Sequence, residues 1–129
     1  MILVDTCIWI EFFRGTPLYL EGLTHLINKH EVVAIGCVFA ELLQGARTER
    51  EVQLILQYWR RLPKAIIEDE IWLDAGLLSF QGKCYAKGVG LTDLAIVVVA
   101  RQNNYTIWTV DKKLQSVLAP VELYQPEKC

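Results

Sequence analysis

Short runs of apolar, mostly β-branched residues alternate along this chain with longer segments whose apolar residues recur at helical spacing. Strands that alternate with helices are typical of α/β proteins, in which a parallel sheet lies between layers of helices. A length of 129 residues fits one such domain and leaves little room for two. We therefore predict a single domain over residues 1–129, a three-layer α/β/α sandwich with a central parallel sheet of four or five strands.

Two of the predicted strands end directly on an aspartate. Ile2–Val4 is followed by Asp5, and Thr106–Val110 is followed by Asp111. The other predicted strands lie at 32–35, 65–67 and 121–124. Because ligands of open α/β sheets bind outside the carboxyl ends of the strands, we expect Asp5 and Asp111 to lie in one crevice.

Cap and turn residues divide the intervening segments into helices. Thr16-Pro17 opens the second helix, Thr48–Glu51 has the form of a capping box, and Gly45 is a fitting C-cap. After the acids at 68–70, a further helix runs towards Gly88. It carries four apolar residues along one face, namely Leu73, Leu77, Phe80 and Cys84.

The apolar run Leu94–Ala100 is compatible with either a strand or a helix, because several of its residues are β-branched. We predict a buried helix, since Thr92 is a good N-cap and the pattern continues to about Gln102. Asp93 would then lie in the first turn of a nearly all-apolar helix.

Most of the fifteen acids fit solvated helix starts or faces, but Asp5, Glu41, Asp93 and Asp111 do not. Glu41 interrupts an apolar segment, where a lone charge is expensive to bury without a partner. Each acid also has a simple structural explanation. Asp5 and Asp111 suit N-caps, Asp93 suits a first helical turn, and Glu41 suits an ion pair with Arg14 or Arg47. It is the set of four at one edge that indicates a functional site.

Carboxylates brought together repel one another unless a cation lies between them. Oxygen ligands without histidine or thiolate suit Mg²⁺ or Mn²⁺ better than zinc. His25 and His30 lie outside the acidic group and are predicted to be surface residues. The cysteines form no CxxC pair and are predicted to be buried free thiols of a reducing compartment, at positions Cys7, Cys37, Cys84 and Cys129.

The formal net charge of −2 argues against a protein that holds nucleic acid by general basicity. It leaves a nuclease open, because bound divalent cations reverse the local sign of the charge. No apolar run approaches the ~18 residues of a membrane span. The first residues lack the basic region of a signal peptide, so we expect a cytoplasmic protein.

Four short motifs in this order resemble the PIN domain, and specifically the VapC-type toxins of bacterial and archaeal toxin–antitoxin pairs. They are Leu3–Thr6, Glu41–Gly45, Gly88–Asp93 with Ala95 and Ala100, and Thr109–Asp111. The resemblance spans nearly the whole chain. It implies an endoribonuclease that cleaves RNA phosphodiester bonds with one or two Mg²⁺ or Mn²⁺ ions, a cognate antitoxin and a homodimer.

Carried over by position, the resemblance makes Asp5, Glu41, Asp93 and Asp111 the catalytic and metal-binding quartet. Thr6 and Thr109 match polar residues that support the site. Three positions depart from the family pattern. Cys7 stands where serine is common, and Lys113 and Leu114 stand where many members have an acid and a phenylalanine. The missing acid leaves the second metal ion open.

Two alternatives remain at this point. One is a phosphate-accepting protein, but a receiver domain needs paired acids after the first strand, where Asp5 stands alone. A DxD phosphatase likewise needs an acid where Cys7 stands. The other alternative is a PIN fold that binds RNA or protein without cutting.

Most aromatic residues of the early helices are predicted to be core residues, although some suit a homodimer face or an antitoxin groove. They are Trp9, Phe12, Phe13, Tyr58 and Trp59.

Overall fold

The computed structural model describes residues 1–126, so the predicted free thiol of Cys129 lies outside the described residues. Within them, a four-stranded parallel sheet is flanked by seven α-helices, which confirms the predicted α/β/α architecture. The strands are β1 (Ile2–Val4), β2 (Val32–Ile35), β3 (Lys64–Ala65) and β4 (Thr106–Trp108). The helices are α1 (Thr6–Phe13), α2 (Pro17–Asn28), α3 (Gly36–Gln44), α4 (Glu49–Arg61), α5 (Asp69–Gly82), α6 (Leu91–Asn103) and α7 (Lys112–Gln115).

The strand order β3-β2-β1-β4 places β1 inside the sheet, paired in parallel with both β2 and β4. The chain winds outward from β1 to β3 and then returns to add β4 on the other side of β1. Because parallel crossovers are right-handed, the outward connections place α1 to α4 on one face of the sheet and the return places α5 and α6 on the other. The winding direction therefore reverses between β1 and β4.

The register aligns the carboxyl ends of β1 and β4. Val4 pairs with Trp108, and the backbone N–H of Asp5 donates to the Trp108 carbonyl at 2.9 Å. All residues of β1 and β2 are buried, as expected for strands covered by helices on both faces. Residues that follow these strands consequently emerge together at one edge of the sheet.

The run Leu94–Ala100 is a helix, as predicted, and every one of its residues is buried. The N-cap of α6 is Gly90, so the prediction of Thr92 as N-cap is wrong; Thr92 lies within the first turn, beside Asp93. Although α6 is almost entirely apolar, it is only thirteen residues long. Among residues 1–126, none of the helices combines the length and the apolar character that crossing a bilayer requires.

Two predicted strands differ in the structure. The third covers Lys64–Ala65 rather than 65–67, because Ile66 leaves the sheet edge and is 72% exposed. In place of the last strand, a 3₁₀ turn covers Pro120–Glu122, and Leu123 makes a single bridge to Ile107. β4 also ends at Trp108, two residues earlier than predicted.

Local caps follow the predicted residues only in part. Thr48 caps α4 by accepting the N–H of Glu51 at 3.1 Å. The reciprocal bond of a capping box is absent, since the Glu51 carboxylate accepts the N–H of Arg47 instead. α5 ends at Gly82, because Lys83 adopts a left-handed φ of 52°.

The apolar stripe of α5 differs most from the usual pattern, in which such a stripe packs on a core. Leu73, Leu77 and Phe80 are exposed by 63%, 57% and 82%, whereas Ile71 and Ala75 form the buried face against α6. Cys84, beyond the end of the helix, is buried. α5 is therefore apolar on both its inner and its outer side.

Candidate active site

Asp5 lies where the winding of the sheet reverses, the position at which open α/β sheets bind ligands. Its Oδ1 accepts a 2.8 Å hydrogen bond from the Thr6 N–H and so caps α1, which is the simple structural role considered for it. Its Oδ2 accepts a 2.7 Å hydrogen bond from the Thr109 hydroxyl. With Asp5 only 9% exposed, these neutral donors hold a nearly buried carboxylate at the edge of the sheet.

Thr109 connects the two aspartates that follow β1 and β4. Its side chain is 4% exposed, and its Oγ1 accepts the N–H of Asp111 at 3.0 Å while the hydroxyl proton is donated to Asp5. Asp111 in turn caps α7, with Oδ1 accepting the Lys113 N–H at 2.9 Å. One buried hydroxyl thus fixes the spacing of both post-strand aspartates.

Glu41 reaches the same edge from α3. The sequence argument assumed that it is buried, and this is wrong: Glu41 is exposed, because Val38, Phe39 and Leu42 form the buried face of α3. Its Oε2 accepts a 2.8 Å hydrogen bond from the Thr6 hydroxyl. Thr6 therefore binds Asp5 through its backbone and Glu41 through its side chain.

Asp93 occupies the first turn of α6 and is half-buried. Burial is the largest of the causes that raise its pKa to about 6, and the negative charges of Asp5, Asp111 and Glu41 contribute the rest, in that order. These three carboxylates are the charges that act on Asp93. The structure thus brings the four predicted acids into one electrostatic cluster, from positions up to 106 residues apart.

No side-chain cation forms an ion pair with this cluster within residues 1–126. The ion pairs of the described chain join Arg14 to Glu11 at 3.1 Å and Arg101 to Glu122 at 2.7 Å, and neither involves the cluster. The pairing of Glu41 with Arg14 or Arg47 that the sequence left open is therefore not observed among these residues.

The described residues contain no group of three or more His, Cys, Asp or Glu side chains that could hold a metal ion as they stand. The chemistry of the donors nevertheless fits a hard divalent cation, since all are carboxylate oxygens. A cation between them would also remove the mutual repulsion that raises the pKa of Asp93. His25 and His30 are exposed and away from this cluster.

Two thiols adjoin the acids, a feature that the sequence analysis did not assign to the site. Cys7 Sγ lies 3.7 Å from both Asp5 Oδ2 and Thr109 Oγ1. Burial, and to a smaller extent the charge of Glu41, raise the pKa of the Cys37 thiol to about 11, and burial also raises the pKa of Cys7. Both side chains are therefore neutral near pH 7. Because Cys7 lies only two residues after Asp5, the sequence could have predicted the contact between these two side chains.

A groove of about 390 Å³ opens beside Glu41, between α1, α3 and α4. It has apolar walls and two arginines, and Glu41 forms part of its lining. The lining residues are Ile10, Phe13, Arg14, Glu41, Leu42, Gly45, Ala46, Arg47, Glu51, Leu54 and Ile55. Of the early aromatics, Trp9 and Phe12 are buried core residues, and Phe13 lines this groove.

Comparison with known proteins identifies the family. The sequence model of the PIN domain family matches residues 2–118 of this chain. The chain belongs to the PIN domain family. "Ribonuclease VapC32" of Mycobacterium tuberculosis is 30% identical over 121 residues, which cover 92% of this chain and 91% of that protein. The predicted resemblance to PIN domains is confirmed, and the receiver-domain alternative is excluded.

Solved structures agree with this PIN fold. The "Toxin-antitoxin complex from Klebsiella pneumoniae" contains a chain that superimposes with a TM-score of 0.78 at 18% identity, over 100% of both chains. A chain of VapBC2 from Rickettsia felis, bound to a DNA fragment from its promoter, gives a TM-score of 0.70 at 24% identity, over 95% of this PIN domain chain and 96% of that one. At these identities the likeness is one of fold.

Proposed function

We propose that this PIN domain protein is a divalent-metal-dependent endoribonuclease and the toxin of a toxin–antitoxin pair. The observation that carries the proposal is the cluster of four carboxylates at the reversal point of the sheet, which no side-chain cation of residues 1–126 joins in an ion pair. The name of the relative VapC32 describes a ribonuclease, and the similar structures are toxin–antitoxin complexes.

In this proposal Asp5, Glu41, Asp93 and Asp111 hold one or two Mg²⁺ or Mn²⁺ ions. When bound, such an ion supplies Lewis-acid activation of water and of the phosphodiester at neutral pH. The hydrogen bonds of Glu41 and Asp111 each use one carboxylate oxygen and leave the second as a ligand. Lys113, in place of a further acid, favours one tightly held ion over two.

The neutral donors of the site position the ligands. Thr6 and Thr109 bind oxygens of Glu41 and Asp5, so that these carboxylates keep their orientation before any ion or substrate arrives. Such preorganisation avoids reorganisation at the moment of reaction. Thr6 and Thr109 are therefore proposed as positioning residues rather than as groups that touch the RNA.

Water is the proposed nucleophile, because the chain's own thiols at the site are unsuited to attack. A thiol reacts as thiolate, and the pKa values of Cys7 and Cys37 are raised. The carboxylates are the groups available to take a proton from the water, and Asp93 has the pKa nearest neutrality of those whose pKa is shifted.

The antitoxin would occupy the groove beside Glu41. Its apolar walls suit apolar side chains of a peptide, while Arg14 and Arg47 suit acidic ones. Since Glu41 lines the groove and also belongs to the acidic cluster, a segment bound there would reach the site itself. Because the groove is continuous with the acidic cluster, an antitoxin segment bound there would block the site and inhibit RNA cleavage.

Cleavage of labelled RNA by the purified chain with Mn²⁺ or Mg²⁺ tests the nuclease proposal. We expect EDTA to abolish cleavage and Asp93→Asn to reduce it by at least about 10²-fold. Glu122→Gln is the matched control, since Glu122 is also a half-buried acid but is paired with Arg101 away from the cluster. RNA binding without cleavage in either metal would instead indicate a non-catalytic PIN domain, and equal loss in both variants would indicate a folding defect.

A further inference from the structure

Lys113 places a positive charge at the rim of the acidic cluster, between the starts of α6 and α7. Its backbone N–H donates to Asp111 Oδ1 at 2.9 Å, so its main chain is attached to a member of the cluster. Its side chain crosses to the segment before α6. There Nζ lies 3.4 Å, and Cδ and Cε lie 3.6 Å, from the point at which a Cβ on Gly88 would stand. Lys113 therefore links Asp111 to the chain that leads into the helix of Asp93.

The segment on which Lys113 rests is a short, anchored turn. Gly88 has a φ of 79°, and its N–H donates to the Tyr85 carbonyl at 3.0 Å. The two residues that anchor the turn, Cys84 and Val89, are buried and are joined by a 3.1 Å backbone hydrogen bond. Because the turn is held from both ends, the Lys113 side chain packs on a fixed piece of backbone.

The ammonium of Lys113 lies beside the acids without pairing with them. The ion pairs of residues 1–126 do not include Lys113, and the residue is exposed. The charges that act on the pKa of Asp93 are those of Asp5, Asp111 and Glu41. Within the described chain, Lys113 is thus a cation at the edge of the site that is available to an anion from outside.

An RNA strand supplies such an anion, because it carries a phosphate at every nucleotide. Under the proposed function, the scissile phosphate lies at the four carboxylates and the cation that they hold. Since the Lys113 ammonium makes no contact with these carboxylates, it is placed for the next phosphate along the strand. The lysine ammonium is a compact point charge, and its charge-assisted hydrogen bonds to phosphate oxygens are strong.

We propose that Lys113 binds the phosphate next to the scissile one and so positions the RNA strand across the acidic cluster. The inference rests on the proposed nuclease function. Contacts to phosphates fix the register of a nucleic acid without reading its sequence. Lys113 would therefore act as a substrate-binding residue, and neither as a metal ligand nor as a group that touches the reacting atoms.

Steady-state cleavage of labelled RNA with Mn²⁺ tests the assignment. Lys113→Met should raise KM about five- to ten-fold and leave kcat nearly unchanged, because it removes an interaction made equally before and during the reaction. Lys113→Arg keeps the charge and should restore most of the wild-type KM. Lys112→Met is the matched control, since Lys112 is the exposed neighbour on α7 and its loss changes the net charge equally. It should keep the wild-type KM.

The salt dependence of RNA binding provides a readout apart from catalysis. Fluorescence anisotropy of a labelled single-stranded RNA is measured with Asp93→Asn chains, which are expected to cleave slowly. Adding Lys113→Met should reduce the slope of log Kd against log salt by about 0.7, the value for one phosphate contact with a single strand. Adding Lys112→Met should leave the slope unchanged. Calorimetric titration of the wild type and of Lys113→Met should give the same number of Mn²⁺ ions.

Three results would overturn the inference. They are equal KM values for the wild type and Lys113→Met, equal effects of Lys112→Met and Lys113→Met, or a loss confined to kcat, which would assign Lys113 to the scissile phosphate. In each case metal-dependent cleavage by the wild type would leave the nuclease proposal standing. A wild type that neither binds Mn²⁺ nor cleaves RNA would overturn the nuclease proposal and this inference with it.

Discussion

The edge of the sheet and the contact between α6 and the 3₁₀ turn both contain half-buried carboxylates, and the pKa values of these groups move in opposite directions. At the edge, burial and three neighbouring carboxylates raise the pKa of Asp93 to about 6. At the contact, two hydrogen bonds from Arg101, of 2.7 and 3.2 Å, lower the pKa of Glu122. Both acids contact or belong to α6, so the difference lies in the partner and not in the helix.

The comparison distinguishes acids that complete the fold from acids that await a ligand. Arg101 satisfies Glu122 within the chain and ties the end of the described chain to α6. Asp5, by contrast, is satisfied by neutral donors, namely an N–H, a hydroxyl and a thiol. Neutral donors orient a carboxylate but do not cancel the repulsion among four of them.

Binding of a divalent cation should give the largest effect that separates the two regions. At one hundred times its dissociation constant, Mn²⁺ should stabilise the wild type by about 2.7 kcal/mol and raise the Tm by roughly 10 °C. Asp93→Asn should lose most of this shift, because it removes a charged ligand. Differential scanning fluorimetry measures this Tm shift, with Glu122→Gln as the control that should keep it. Equal Tm shifts in the wild type, Asp93→Asn and Glu122→Gln would show that the two regions do not differ in metal binding.

Replacing the hydroxyl that orients Asp5 should have the next largest effect. Thr109→Val leaves the Asp111 N–H unpaired and removes one donor from Asp5 at a site that is 4% exposed. We expect the free energy of unfolding in urea to fall by about 1–3 kcal/mol. Thr106→Val, three residues earlier at the start of β4, is the control and should change it far less. Equal losses would show that the hydroxyl of Thr109 has no special role.

The metal-free protein should become more stable as the pH falls through about 6. The folded state holds the proton of Asp93 more tightly than the unfolded chain does, because the folded pKa is raised. Stability therefore rises as the pH falls from 7 towards 4 and levels off below the unfolded pKa. Thermal unfolding in EDTA should show this gain in wild type and not in Asp93→Asn. If Asp93→Asn gains the same stability at low pH, another titratable group causes the gain.

The ion pair at the contact should give the smallest effect. Arg101→Gln removes a partly exposed pair, with side-chain exposures of 41% and 23%, so we expect a loss below about 1 kcal/mol. RNA cleavage should be unchanged, since the pair lies apart from the acidic cluster. Arg60→Gln, exposed on α4, provides the control for loss of a surface charge. Reduced cleavage at full stability would show that the two regions are coupled.

The spacing of apolar residues along the chain correctly predicted most of the strands and helices. The buried run Leu94–Ala100 was correctly predicted as a helix from the continuation of its pattern to about Gln102, although Thr92, the N-cap on which the prediction also relied, lies inside the helix. The same approach failed for the stripe of α5. Apolar residues lie on both sides of that helix, and spacing alone does not say which side faces the sheet.

The four acids of the site were selected from the sequence, partly for a reason that does not hold. Glu41 was singled out as a charge in an apolar segment, yet it is exposed and is held by Thr6 from a different helix. The contact of Cys7 with Thr109 was not foreseen, because it depends on the alignment of β1 with a segment more than a hundred residues away.

By itself, the sequence determined that strands alternate with helices, that aspartates follow two of the strands and that one acid lies in the first turn of an apolar helix. These are local properties, set by side-chain shape, apolar spacing and backbone caps. Only the tertiary structure decided that the winding reverses between β1 and β4, that no described side-chain cation joins the acids and that α5 leaves one apolar face uncovered. These depend on which distant segments pack together, and burial and charge are properties of that packing.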